Sequence, residues 1–183
     1  MVIEYPSLMP VAFLHHQGSP SDAKLYEEIL EELKRRRIDR NGDTIIFDKG
    51  YYGYKNYTMG ISRFKVIPAI FLRKDFKIEK LDGMLSYLLS IFNRSNPEKE
   101  KEFYKGLAKS LKAIIENWEK YKPIRGMIED ISKLAKNAFS LNNLHRYTNR
   151  SVKKFVCLHV LLVAIVVSLG INSKEKLQKI AEW

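Results

Sequence analysis

Residues 44–57 read TIIFDKGYYGYKNY: an apolar, partly β-branched run that ends on Asp48 and passes at once into Gly50 and a cluster of tyrosines. Such a run, bounded by turn residues, predicts a buried strand over Thr44–Phe47, with Asp48 at its carboxyl end and Gly50 opening the turn. In open α/β sheets ligand sites gather at the carboxyl ends of strands. That makes Asp48 a candidate functional acid. A lone strand-end aspartate is also an ordinary cap or turn residue before the segment from Tyr51 to Gly60.

Upstream, residues 8–14, LMPVAFL, predict a strand, and HHQGSPSD after them predicts a loop whose Asp22 caps the next helix. That helix, Ala23 to about Arg37, carries Leu25, Ile29, Leu30 and Leu33 at three- and four-residue spacing, with a charged outer face. A loop on Asn41 and Gly42 returns the chain to the Asp48 strand. Downstream, Lys65–Leu72 predicts a further strand in which Pro68 implies an edge or a bulge. Strand, helix, strand, helix, strand is the signature of an α/β sheet with crossover helices.

Beyond Lys74 the pattern blurs, and GMLSYLLSIF is either a helix or a buried packing segment. From Pro97 to Pro123 a charged helix carries one apolar stripe: Phe103, Leu107, Leu111, Ile114, Ile115 and Trp118. Another helix, Arg125 to about Phe139, precedes a polar linker, an apolar segment and a short charged tail, 173–183. With no internal repeat or low-complexity tract, residues 1–172 are expected to form one compact unit.

The chain has 183 residues, 45% of them hydrophobic and 29% charged, which places it among globular proteins. Its 32 Lys and Arg against 21 Asp and Glu leave a net charge of +11. An excess of that size repels itself unless an anionic partner offsets it, and nucleic acid is the first candidate. The single Cys157 excludes an intramolecular disulfide and reads as a small buried apolar residue. The amino terminus, MVIEYPSLMP, has neither a basic region nor a long apolar stretch of a secretory signal, so a cytoplasmic location is expected.

Phe155–Ile171 holds 17 residues without a formal charge. It is short against the ~20 residues of a membrane span and contains His159. The expectation is a core helix buried on nearly all sides, with a membrane span as the alternative.

A second acid is Glu129, in YKPIRGMIEDISKLAK. On a helix beginning near Ile124, Arg125 and Glu129 stand four residues apart and Glu129 and Lys136 seven apart, so the three project from one face. Taken alone this is a solvated ion pair worth ~0.3–0.5 kcal/mol. His15 and His16 are adjacent, face opposite ways on a strand, and read as loop polar residues. Tyr51, Tyr52, Tyr54 and Tyr57 serve either base stacking or core packing. Basic groups at Lys34–Arg37, Arg73–Lys80 and His145–Lys154 each have the character of a solvated face, and together they would track a DNA backbone.

FDKGY, Phe47–Tyr51, resembles the "aDkGY" motif around the second catalytic acid of DDE-type transposases of insertion sequences, and Arg125, Glu129 and Lys136 keep the spacing of that family's later helix signature. Tyr121 stands one residue farther from Arg125 than the signature tyrosine. The segments LMPVAFLHHQGSPSDAKLYEEILEEL, RFKVIPAIFLRK and FSLNNLHRYTNRSVKKFVCLHVLLVAIV extend the likeness over most of residues 8–170.

The resemblance implies an α/β fold: an incomplete ribonuclease H-like domain, with a central mixed sheet flanked by helices and a helical C-terminal part. It implies phosphoryl transfer on DNA, with two Mg²⁺ or Mn²⁺ ions ~4 Å apart held by clustered carboxylates. Asp48 and Glu129 would be catalytic metal ligands. Lys49, Tyr121, Arg125 and Lys136 would contact DNA.

The family's first catalytic aspartate lies upstream of the counterpart of LMPVAFLHH, and only Glu4 and Asp22 are acids near this amino terminus. The likeness therefore implies the C-terminal portion of a transposase, truncated or split, with an incomplete active site. The alternative is a noncatalytic DNA-binding fragment that inhibits or accompanies a full-length transposase. The implied partners are DNA at element ends and, as a dimer, the chain itself or a full-length transposase, with no membrane.

Overall fold

Strand β3, Thr44–Phe47, pairs in parallel with β4, Ile67–Ile70, in register from Thr44 opposite Ile67 to Phe47 opposite Ile70. Pro68 faces Ile45 in this pair. A two-stranded ladder leaves an open edge on each strand, which is where a residue lacking an N–H is tolerated. The computed structural model describes residues 1–16, 20–95, 97–139, 148–171 and 173–181. The chain divides into two compact units, Pro20–Glu119 on one hand and Met1–Ser19 with Lys120–Trp183 on the other.

In the unit 20–119, helix α1, Asp22–Arg36, leads into β3, and a 3-10 turn, Lys49–Tyr51, connects β3 to α2, Tyr54–Met59. Ser21 rather than Asp22 occupies the N-cap of α1, and Asp22 is the acid of its first turn. Gly42, at φ 94°, makes the predicted turn, and its N–H donates to the Lys65 carbonyl at 2.8 Å. Helix α2 runs on as a π turn, Gly60–Phe64, into β4. The ambiguous segment after Lys74 resolves into helix α3, Ile78–Ser95, followed by α4, Glu98–Glu116.

The α4 stripe differs from expectation at one place: Tyr104 is in the core and Phe103 is half-buried. Tyr104 stacks on Phe92 of α3 with ring centroids 4.1 Å apart, which draws Tyr104 rather than Phe103 onto the covered face while the rest of the stripe stays as expected. Trp118 packs edge-on to Phe71 at 4.4 Å.

Gly60 illustrates how closely this unit is packed. A Cβ there would lie 2.5 Å from Tyr26 Oη and 2.8 Å from Pro68 Cγ. Both neighbours are held in the interior, so neither can swing away. Gly→Ala inside a helix ordinarily stabilises by up to ~1 kcal/mol. Here overpacking reverses the sign, and Gly60→Ala is expected to destabilise by about 1–3 kcal/mol in urea unfolding.

In the other unit, β2, Pro10–Ala12, pairs antiparallel with β1, Val2–Ile3. The strand expected over residues 8–14 is thus shorter. Leu8 takes φ 61°, in the left-handed region where extended backbone cannot pass. Its N–H donates to Glu4 O at 2.8 Å in the turn that folds β2 back on β1. Among the described residues the strands therefore form two two-stranded sheets, where the sequence predicts one central mixed sheet.

Helix α5, Lys122–Lys133, continues as a π turn, Leu134–Ala138. Residues 140–147 of the predicted polar linker lie outside the described residues, and α6, Asn149–Ser168, follows with Thr148 capping it through a hydrogen bond from the Ser151 N–H. Residues 174–181, expected in a charged tail, form helix α7, Lys174–Ala181. Its Leu177 is fully buried with Leu8, Ile131, Leu134, Val163 and Val167.

Helix α6 corrects a further expectation. Rather than being buried on nearly all sides, it sinks only His159, Val163 and Val167, one residue per turn, while Leu158, Leu161 and Ile165 are exposed. Cys157, expected inside, is exposed on the same helix. By length and composition α6 is long and apolar enough to cross a membrane.

Candidate functional site

Asp48 ends β3 and occupies the N-cap position of the 3-10 turn, where its carbonyl accepts the Tyr51 N–H at 3.0 Å. Asp48 and Lys49 are both exposed. The parallel pairing determines where that acid emerges: β3 and β4 end together, and the Phe71 N–H donates to the Phe47 carbonyl at 2.9 Å as the last rung before the turn. Arg73, just beyond β4, donates from Nε to the Lys49 carbonyl at 3.2 Å and lays its guanidinium over the Tyr52 ring at 5.4 Å.

From the other side comes Asp22, at the amino end of α1. Its carboxylate rests on the α-carbon of Gly50, where a Cβ would lie 2.1 Å from Oδ2. Burial, then the charges of Asp22 and Asp48, pushes the Tyr51 phenol above its ordinary value. Asp22 was legible in the sequence only as a cap, because its contact with the turn depends on tertiary packing.

Most of the tyrosine cluster is structural. Tyr57 is fully buried and donates to the Ile70 carbonyl at 3.1 Å. Tyr52 contacts Tyr54, Tyr57 and Phe76, and Tyr54 Oη accepts the Lys77 N–H at 2.8 Å. Lys80 Nζ sits 4.7 Å above the Tyr54 ring, so the basic group 73–80 is partly drawn into this cluster. In the group 34–37, Glu32 accepts from Arg35 Nε at 2.8 Å and Arg36 Nε at 2.5 Å.

The second candidate acid lies in the other unit. Glu129 is on α5, with its Oε1 3.2 Å from Arg125 Nη2, both side chains well exposed at 55% and 39%. Tyr121 is the N-cap residue of α5, and Lys136 is exposed in the π turn that ends it. The wider π turn breaks the α-helical count between Glu129 and Lys136, so the shared face predicted from their spacing does not carry through it unaltered.

Next to Glu129, Asp130 is 4% exposed. Its Oδ2 has no hydrogen-bond partner, and Oδ1 is 4.0 Å from Lys133 Nζ. No sequence pattern marked it. His159 reaches from α6 with both ring nitrogens on backbone carbonyls, Nδ1 on Phe155 O at 2.7 Å and Nε2 on Phe139 O, so it ties α6 to the end of the π turn. His15 and His16 lie in irregular backbone after β2.

The family model of the transposase DDE domain matches residues 1–165. The chain belongs to the transposase DDE domain family. Membership ties this DDE domain to DNA transposition and implies DNA binding, in a family that generally uses divalent metal ions. The chain is also similar to a protein of Dichelobacter nodosus named amino-acid-binding protein AabA, at 24% identity over 178 residues, covering 85% of this chain and 69% of that protein. No solved structure matches it significantly.

Within this DDE domain, the described residues contain no group of three or more His, Cys, Asp or Glu side chains placed to hold a metal ion. Asp48 and Glu129 each supply one carboxylate, on separate units.

Proposed function

We propose that the chain takes part in cleavage and joining of DNA strands at insertion-sequence ends by metal-dependent phosphoryl transfer. Residues 1–172 are read as a portion of a ribonuclease H-like catalytic domain and 173–183 as its C-terminal extension. Asp48 and Glu129 are the residues we assign to metal ligation, with Mg²⁺ or Mn²⁺ as the ion. Hard divalent cations take oxygen ligands. Any further carboxylate the centre needs comes from outside the described residues. Lys49, Tyr121, Arg125 and Lys136 are assigned to DNA contacts near the reacting phosphate, in a cytoplasmic complex with element ends that includes a second copy or a full-length transposase.

The observation that carries this reading is the family match across residues 1–165 with Asp48 at the carboxyl end of a parallel strand pair, where a rigid ladder presents an exposed acid. Positive charge supports it: at +11, binding to DNA should fall steeply with salt.

A second reading, a noncatalytic DNA-binding fragment that inhibits or accompanies a full-length transposase, is favoured by the lack of a three-ligand group among the described residues. The two separate in one experiment. The purified chain is assayed for cleavage of element-end DNA with Mn²⁺, alone and mixed with a full-length transposase of the family carrying an inactivated second acid. The first reading expects metal-dependent cleavage in at least one mixture, lost by about 10²-fold or more on Asp48→Ala or Glu129→Ala and abolished by EDTA. Salt-sensitive DNA binding that both alanine variants retain, with no cleavage anywhere, overturns it in favour of the second.

A further inference from the structure

We propose that Asp22 is a positioning residue, whose carboxylate packs on Gly50 and holds the turn that presents Asp48; its value for chemistry rests on the reading of Asp48 given above. The contact joins two places far apart in the chain, the first turn of α1 and the turn after β3. An added Cβ at residue 50 would come within 2.1 Å of Asp22 Oδ2, 3.0 Å of its Cγ and 3.1 Å of its Cβ, so the whole side chain lies against the glycine. Gly42 and Gly170 take left-handed backbone angles, whereas Gly50 does not. Its backbone suits any residue. Glycine at position 50 therefore serves the contact and not the turn.

The turn is consequently clamped from two sides. Asp22 presses on Gly50, and Arg73 holds the carbonyl of Lys49 at 3.2 Å. Between them sit the two bonds that define the turn, Tyr51 N–H to Asp48 O at 3.0 Å and Tyr52 N–H to Lys49 O at 3.2 Å. Both bonds lie within one short 3-10 turn and outside the strand ladder, so the packing of Asp22 and Arg73 on that turn is what keeps Asp48 at one angle to the strand. Ser21 occupies the N-cap position of α1, and the Asp22 side chain is directed at the turn.

The test is amide hydrogen exchange on the full chain, read at Tyr51 and Tyr52, with Phe71 as the ladder control. Asp22→Ala is expected to speed exchange at both tyrosines by about tenfold while Phe71 keeps its wild-type rate. Asp22→Asn, which preserves shape, is expected to stay within about twofold of wild type. Gly50→Ala should loosen the turn as Asp22→Ala does, and the double variant should be no looser than either, because both remove one shared contact. Wild-type protection at Tyr51 and Tyr52 in Asp22→Ala overturns the proposal, as does full additivity in the double variant.

A parallel titration with Mn²⁺, followed by water-proton relaxation, separates this inference from the functional reading. Asp48→Ala should abolish binding and Asp22→Ala weaken it about severalfold, with Asp22→Asn close to wild type. If Asp48→Ala leaves Mn²⁺ binding unchanged, the ligand assignment fails while the exchange result still decides whether Asp22 holds the turn. If the turn loosens and Mn²⁺ binding to a binding-competent wild type does not weaken, the positioning role is overturned.

Discussion

Tyr57→Ala is expected to lower the unfolding free energy by about 3–5 kcal/mol, a large share of the roughly 5–15 kcal/mol that holds an ordinary domain together. The ring is fully buried, meets Tyr52 at 6.4 Å and Phe76 at 6.3 Å, and its hydroxyl is the partner of the Ile70 carbonyl at the end of β4. Truncation removes the ring, leaves a cavity beside the strand pair and strips a buried carbonyl of its donor. Tyr57→Phe keeps the packing and loses only the bond, so it should cost about 1–2 kcal/mol. Urea denaturation followed by circular dichroism measures both. A loss under 1 kcal/mol for the alanine variant would contradict the structure.

The same burial sets an alkaline limit. Burial pushes the phenols of Tyr26 and Tyr57 well above their ordinary value, so the fold favours their neutral forms. The stabilisation is fully present below the unfolded-chain value near pH 10 and drains away as pH rises beyond it. The midpoint of thermal unfolding should therefore fall above pH 10, and less so in Tyr57→Phe.

Leu177→Ala is expected to destabilise the unit formed by residues 1–19 and 120–183 by about 2–5 kcal/mol. Leu177 is fully buried between α5, α6 and the turn at Leu8, and among the described residues of α7 it covers that cluster together with the half-buried Ile180. A polar-tail residue would give a loss near zero. Differential scanning calorimetry distinguishes the two, and a loss below 0.5 kcal/mol would return residues 174–181 to the status of an appendage.

What the sequence reveals follows the range of the interactions involved. The strand at Thr44–Phe47 and helix α1 emerge within a residue or so of their predicted positions because period and turn chemistry are local signals. The strand at 8–14 shortens because Leu8 adopts a left-handed angle to enter a core built largely from residues more than 100 positions away. Helix α6 reads as uniformly apolar, and no local rule tells which of its faces is covered. Asp48, Arg125 and Glu129 could be singled out by motif, but the Asp22–Gly50 contact could not, since its two residues meet only after β3 and α1 have packed. Asp130 was invisible for the same reason.

The π turn at Leu134–Ala138 has a consequence for how this lineage tolerates change in length. A helix with one surplus residue wound into it is already spliced, so losing a single residue there would restore ordinary α-helical winding without breaking the rod. Everything beyond the splice, Lys136 included if it survives, would swing by about 100° around the axis. Family members that differ by one residue between the glutamate and the lysine would thus keep the helix while aiming the lysine elsewhere.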